Sequence, residues 1–187
     1  KLVGVYGVNS NITSSHDINL SSGKGNIGIY GEGAGKTITS TGSITVGESI
    51  IDSDDDAKSF YSIGIAGNKG VKINSNAGGN IILKGNNSIG IYATGNGTSV
   101  ENHKDIIFAP NGKVDRMIGM FVNDGATAVN YGNIHLEGES AIGMYLDRGA
   151  IGENYGNIEG NAQSLKGVVA INGGYIKNYG HINVTGS

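Results

Sequence analysis

The sequence predicts an all-β fold: a parallel β-helix solenoid of about seven coils, roughly 24 residues each, with three short strands per coil. Two recurring patterns predict it. A glycine between two apolar residues, usually followed by an aromatic ring, appears in Val3-Gly4-Val5-Tyr6, Ile27-Gly28-Ile29-Tyr30, Ile63-Gly64-Ile65-Ala66, Ile89-Gly90-Ile91-Tyr92, Ile118-Gly119-Met120-Phe121 and Ile142-Gly143-Met144-Tyr145, and is degenerate in Lys166-Gly167-Val168-Val169. Some 14 to 17 residues after each glycine comes a second apolar stretch, centred on Ile18, Ile44, Ile81, Ile106, Ile134, Ile158 and Ile182. A period in the twenties with short alternating segments is the mark of stacked coils.

Taken in order, each coil opens on the glycine strand. A weaker middle strand follows, around Ile12, Ile38, Ile73, Val100, Val129 and Ile176, poorest at Glu153-Asn154. The third strand closes the coil. Alternation gives each strand one apolar face, and three such faces turned inward enclose a triangular core. On strict alternation Ile27 and Ile29 point in with Ile44 and Val46, while Gly28, Tyr30 and Thr45 point out. No stretch shows helical three-and-four spacing, and glycine is too frequent for helices. At about 4.8 Å per coil, seven coils make a stack of roughly 34 Å.

Residues 1–187 therefore form a single rod-like domain. The 34 glycines fall at turns and in the repeated strand, so geometry accounts for them. Cysteine is absent, which neither proves nor excludes export. No run is long enough for a transmembrane helix and no signal peptide is visible. A formal charge of −3 without a basic stripe argues against nucleic acid as a partner. No polar cap or amphipathic helix follows Val184, so the chain reads as a piece of a longer rod.

The period breaks twice, near 47–62 and 109–116, both times after the third strand and so on the same corner, two coils apart. The first insertion carries Asp52, Asp54, Asp55, Asp56 and Lys58; the second carries Pro110, Lys113, Asp115 and Arg116. Insertions on one face of a solenoid often form its binding surface, which makes Asp54, Asp55, Asp56, Lys113 and Arg116 the candidate ligand-binding ridge. The alternative is two solvated loops whose charges keep the edge soluble. The longer loop is expected to lean over Gly85-Asn86-Asn87-Ser88 towards the shorter. The aspartates invite calcium, but their spacing matches neither a helix-loop-helix site nor the glycine-rich calcium repeat, so no metal or cofactor is assigned.

Apparent catalytic motifs fail on context. Gly31-Glu32-Gly33-Ala34-Gly35-Lys36-Thr37 lacks the first glycine of a phosphate loop and runs into a strand where a helix is required. Gly23-Lys24-Gly25-Asn26-Ile27-Gly28 matches a dinucleotide fingerprint by letter and also enters a strand. His16, His103, His135 and His181 occupy different phases, as Glu101, Glu137, Glu153 and Glu159 are expected to, so no catalytic residues are assigned. Two ladders read as structure: Asn130-Tyr131-Gly132, Asn154-Tyr155-Gly156 and Asn178-Tyr179-Gly180, with amides chained and rings stacked. The column Tyr6, Tyr30, Tyr92, Phe121 and Tyr145 either docks a sugar ring or folds over the neighbouring glycine.

The repeated Ile-Gly-Ile-Tyr stretch, with Asn-Tyr-Gly-Asn-Ile and abundant Gly, Asn, Ile and Lys, resembles the passenger of large fusobacterial type V autotransporter adhesins. The resemblance covers all seven repeats and carries over no ligand residue. It implies a right-handed β-helical rod, extracellular and anchored to the outer membrane through a barrel outside this chain. It implies coaggregation or host-cell attachment through a protein or glycan receptor, with this segment a monomer that does not itself enter the membrane. The alternatives are a β-helical carbohydrate-active enzyme or phage tailspike segment, and a spacer without a ligand.

Overall fold

The computed structural model describes residues 1–109 and 115–186. The chain winds as a right-handed parallel β-solenoid of seven coils, three strands to a coil. The first sheet stacks the glycine strands from Val3–Val8 to Lys166–Ala170, the second runs from Ile12–Ser14 to Tyr175–Asn178, and the third from Ile18–Leu20 to Ile182–Thr185. All three sheets are seven-stranded, and every strand pairs in parallel with its counterpart in the next coil.

The core fills the triangle between the sheets. Ile29, Ile65, Ile91, Met120 and Met144 enter it from the first sheet, Ile38 and Ile73 from the second, and Ile44, Ile81, Ile106 and Ile134 from the third. These side chains are fully buried in the middle coils. At the terminal coils Val5, Ile18, Val168, Ile176 and Val184 pack on the core while remaining partly exposed.

The first strand departs from alternation, and this corrects the expected facing of Ile27 and Gly28. Tyr30 and Ile27 belong to a second apolar cluster with Ile63, Ala66 and Ile89, separate from the core. Gly28 faces inward: a Cβ there would lie 2.5 Å from Ile44 Cγ2 and 2.5 Å from Gly64 O. The ladder pairs Val3 with Ile27, Val5 with Ile29 and Tyr6 with Tyr30, stepping over the glycine between them. The strand bends there, so two successive residues face the core and Ile27 is thrown outside. Its ring neighbours then cover it. Tyr6 and Tyr30 stack with centroids 5.3 Å apart, and Phe121 meets Tyr92 and Tyr145 edge-on at 5.4 and 5.1 Å.

Side-chain ladders lock the corners. Between the second and third sheets, Asn102, Asn130, Asn154 and Asn178 form one amide chain: the first three Nδ2 groups each donate to the next Oδ1 at 2.8 Å, and all four donate to a carbonyl two residues on. The ladder starts one coil earlier than the Asn-Tyr-Gly motif indicates. One column further on, Asp17 accepts from Ser43 N–H, Ser43 from Asn80, Asp105 from Asn133, and Asn133 from Asn157. At these four positions a short polar acceptor just before the third strand thus bonds the next coil.

Candidate functional site

The longer insertion folds as a hairpin. Ile50 and Phe60 exchange both backbone hydrogen bonds, at 2.8 and 2.7 Å, as an isolated antiparallel bridge. Serines pin the base. Ser49 N–H donates to Asn86 O and its hydroxyl to Asn87 O, while Ser62 N–H donates to Ser49 Oγ and its hydroxyl to Glu48 O. Asp52 Oδ1 accepts from the N–H groups of Asp54 and Asp55, turning the tip. Asp55 caps the short 3-10 turn Asp56–Lys58 by accepting from Ala57 N–H at 3.0 Å, and Lys58 lies 3.2 Å from Asp55 Oδ2.

Of the candidate ridge, Asp54 and Asp56 are exposed and Asp55 is half-buried in its cap. Arg116 is also exposed, held in a tight left-handed turn with φ of 61° by its N–H bond to Glu139 O. Lys113 and Pro110 lie outside the described residues. The two insertions do rise on either side of the turn Gly85-Asn86-Asn87-Ser88: Ser49 bonds Asn86, and Asn87 N–H bonds Asp115 O. The expected lean of the longer loop is nevertheless reversed. Phe60 sits on Gly25 and Lys1 Nζ lies 4.6 Å from its ring centroid, so the hairpin tilts back towards the first coil. The reason is steric: a Cβ at Gly25 would come within 2.8 Å of Phe60 Cβ, so glycine leaves the space that lets Phe60 sit down on this turn. No ion pair among the described residues joins the aspartates to Arg116.

Residue types alone pointed to the charges and passed over the apolar part of this loop. Ile50, Ile51, Phe60 and Tyr61 are 41, 43, 38 and 45% exposed. The signal was present in the near-symmetric pair Ser49-Ile50-Ile51-Asp52 and Ser59-Phe60-Tyr61-Ser62 around an acidic turn, a hairpin pattern.

A second surface runs along the corner between the second and third sheets. The rings of His103, Tyr131, Tyr155 and Tyr179 stack at 4.8, 5.1 and 4.9 Å with interplanar angles of 16° or less. Glu101 and Glu153, expected in different phases, share one column of the second sheet through Val129. The turn before Glu101 is one residue longer, which hid the alignment. Each carboxylate is held by the ring two residues on: Glu101 Oε1 lies 2.8 Å from His103 Nε2, and Glu153 accepts from the Tyr155 hydroxyl at 2.9 Å. The hydrogen bond to His103 draws the Glu101 carboxyl below its usual range, and that to Glu153 pushes the Tyr155 phenol up.

A third feature is an open groove on the outer face of the third sheet. His135 and Glu159 form its floor, 2.9 Å apart, with Glu137, Glu139 and Gln163 along the rim. No three histidine, aspartate or glutamate side chains among the described residues come together in an arrangement that would hold a metal ion.

Lys104 is buried, its Nζ donating to Thr41 O of the second coil at 2.8 Å. Burial pulls its ammonium down to about 8, against a smaller opposing pull from Asp17. On the first sheet, burial and the bond to Glu32 push the Tyr30 phenol up to about 12, while Lys69 first and Tyr30 second hold Glu32 low.

No curated protein and no solved structure matches the chain. A family model does: the BigA third pectate lyase-like domain matches residues 5–133. That span runs from the first strand of the first coil past the second strand of the fifth, over two-thirds of the chain. The match covers more than half of the chain and takes in four of the seven motif glycines, Gly28, Gly64, Gly90 and Gly119, so the chain belongs to the family of the BigA third pectate lyase-like domain.

Proposed function

We propose that this chain is a length of an extracellular β-helical passenger on a bacterial surface, working by adhesion and without catalysis. Membership of a BigA-type domain family supports a bacterial surface protein, and the likeness to fusobacterial type V autotransporter passengers supports the finer assignment. The observation that carries the reading is the rod itself: seven coils in three unbroken sheets, locked by side-chain ladders, with one hairpin projecting from a corner. Such a rod holds a binding surface at a fixed distance and presents it without closing around a ligand. Its partner is a host-cell or bacterial surface receptor, protein or glycan, met by a monomeric segment anchored through a domain outside this chain. Beads coated with the purified chain should attach to epithelial monolayers or bacterial cells; beads that attach no better than albumin-coated ones would remove the reading.

A second reading, a β-helical carbohydrate-active enzyme, is favoured by the pectate lyase-like kinship and by the His135–Glu159 pair in an open groove. Release of reducing ends from polygalacturonate or another polysaccharide would support it against adhesion.

A further inference from the structure

We infer that the hairpin from Ile50 to Tyr61 is the docking arm of this rod, and that it seats on a protein surface whose apolar depression is rimmed by lysine or arginine. The inference rests on the adhesion reading and names the site and the class of partner.

On the first sheet, outward apolar side chains are covered: Ile63, Ala66 and Ile89 lie under the aromatic column and are 8, 2 and 3% exposed, and on the second sheet and its corner the exposed Tyr131, Ile151 and Tyr155 are spread over two coils. The hairpin leaves four large apolar side chains each about two-fifths exposed within twelve residues. A lone two-stranded hairpin is marginal in water, yet this one is pinned at its base by four serine hydrogen bonds, so its apolar face is held in place. Apolar anchors ringed by polar groups are the anatomy of a protein contact. The rim is acidic. Asp52, Asp54, Asp55 and Asp56 stand against Lys58, and Lys58 is already paired with Asp55, which leaves Asp54 and Asp56 facing solvent. Charge complementarity therefore selects a basic rim on the partner and steers its approach.

A glycan fits less well. Sugars dock on free aromatic faces with polar groups alongside, but Lys1 Nζ lies over the Phe60 ring, Ile50 and Ile51 offer neither ring nor hydrogen bond, and Tyr61 alone is left as an open ring.

Beads coated with the chain are applied to epithelial monolayers, untreated, trypsin-treated or periodate-treated. Ile51→Ser with Tyr61→Ser removes the anchors that do not sit on Gly25, and should lower attachment about tenfold. Asp54→Asn with Asp56→Asn should lower it severalfold at low salt and flatten its salt dependence. Tyr155→Ser, on another corner, should leave it unchanged. Melting temperatures of the two double variants equal to that of the unmodified chain show that the rod is intact. Trypsin treatment should abolish attachment and periodate should spare it. Attachment that survives both double variants overturns the docking arm while leaving adhesion standing, and loss on periodate alone overturns the protein partner. Failure of the unmodified chain to attach removes the adhesion reading and the arm with it.

Discussion

Glycine at position 90 is dictated by what surrounds it: a Cβ there would sit 2.5 Å from Gly119 O and 3.0 Å from Ile106 Cγ2. Gly90→Ala should therefore push two coils apart and cost about 1–3 kcal/mol, read by thermal melting. Its neighbour Ile91 is fully buried in the core, and Ile91→Asp would strand a carboxylate between coils at a cost of several kcal/mol. Ile27, on the outer side of the same bend and only half-buried, should tolerate aspartate at about 1 kcal/mol. Equal melting losses for the Ile27 and Ile91 variants would return Ile27 to the core. Lys104 gives a pH test. Its ammonium titrates near 8 when folded and near 10.5 when unfolded, so within that window the unfolded chain holds a proton that the folded chain has lost. Stability from this residue therefore rises with pH between about 8 and 10.5. Tyr30 acts in the opposite sense above pH 10, because its raised phenol keeps its proton only when folded. Melting curves between roughly pH 8 and 9.5 should show the rise in the native chain and a flat profile in Lys104→Met.

At the scale of the element, strand identity was legible because every coil repeats the same three apolar stretches, and all appear in the structure. What alternation hid was the bend at the motif glycine, since a rule of period two has no place for two successive inward residues such as Gly28 and Ile29. The ladder at Asn102 was hidden differently: its coil continues with His103-Lys104 in place of Tyr-Gly, yet His103 takes the stacked ring's place and Lys104 O accepts the amide. In the earlier coils the same column holds Ser40 and Ser75, whose buried hydroxyls have no hydrogen-bond partner. The amide chain thus begins where serine gives way to asparagine. Asn130 lies inside it and is bonded on both sides, whereas Asn178 ends it in an exposed position. Asn130→Ala breaks the chain and leaves Gly132 O and the Asn102 amide short of partners, at about 2–3 kcal/mol; Asn178→Ala should cost under about 1 kcal/mol. Similar losses at the two positions would mean that the ladder adds nothing beyond its separate bonds.

For the whole molecule, the coils form a one-dimensional stack, because each strand is hydrogen-bonded to its counterparts in the adjacent coils and to no strand further along. The candidate surface was legible as a break in the period, since an insertion needs no chemistry to be seen. The direction of its lean was not, because that depends on the bare floor at Gly25, a contact between segments 35 residues apart in sequence. The same one-dimensional logic sets how the rod opens. Stability is the sum of each coil's own terms and its interfaces with its neighbours, and a terminal coil has one such interface where an inner coil has two. Burial follows that gradient: Ile65, Ile91 and Met120 are fully buried, while Val168, Ile176 and Val184 of the seventh coil are partly exposed and Ile182 is 38% exposed. In the 187-residue chain, amide hydrogen exchange should therefore be slowest at the first-sheet strands Ile63–Asn68, Ile89–Thr94 and Ile118–Asn123. The strands of the first and seventh coils should exchange by local opening at low denaturant, well before the middle coils. Asn130→Ala should lower protection on both sides of the broken ladder, in the fourth and sixth coils as well as the fifth, while leaving the first coil unchanged. Uniform protection from one end to the other would show instead that the rod opens as a single cooperative unit.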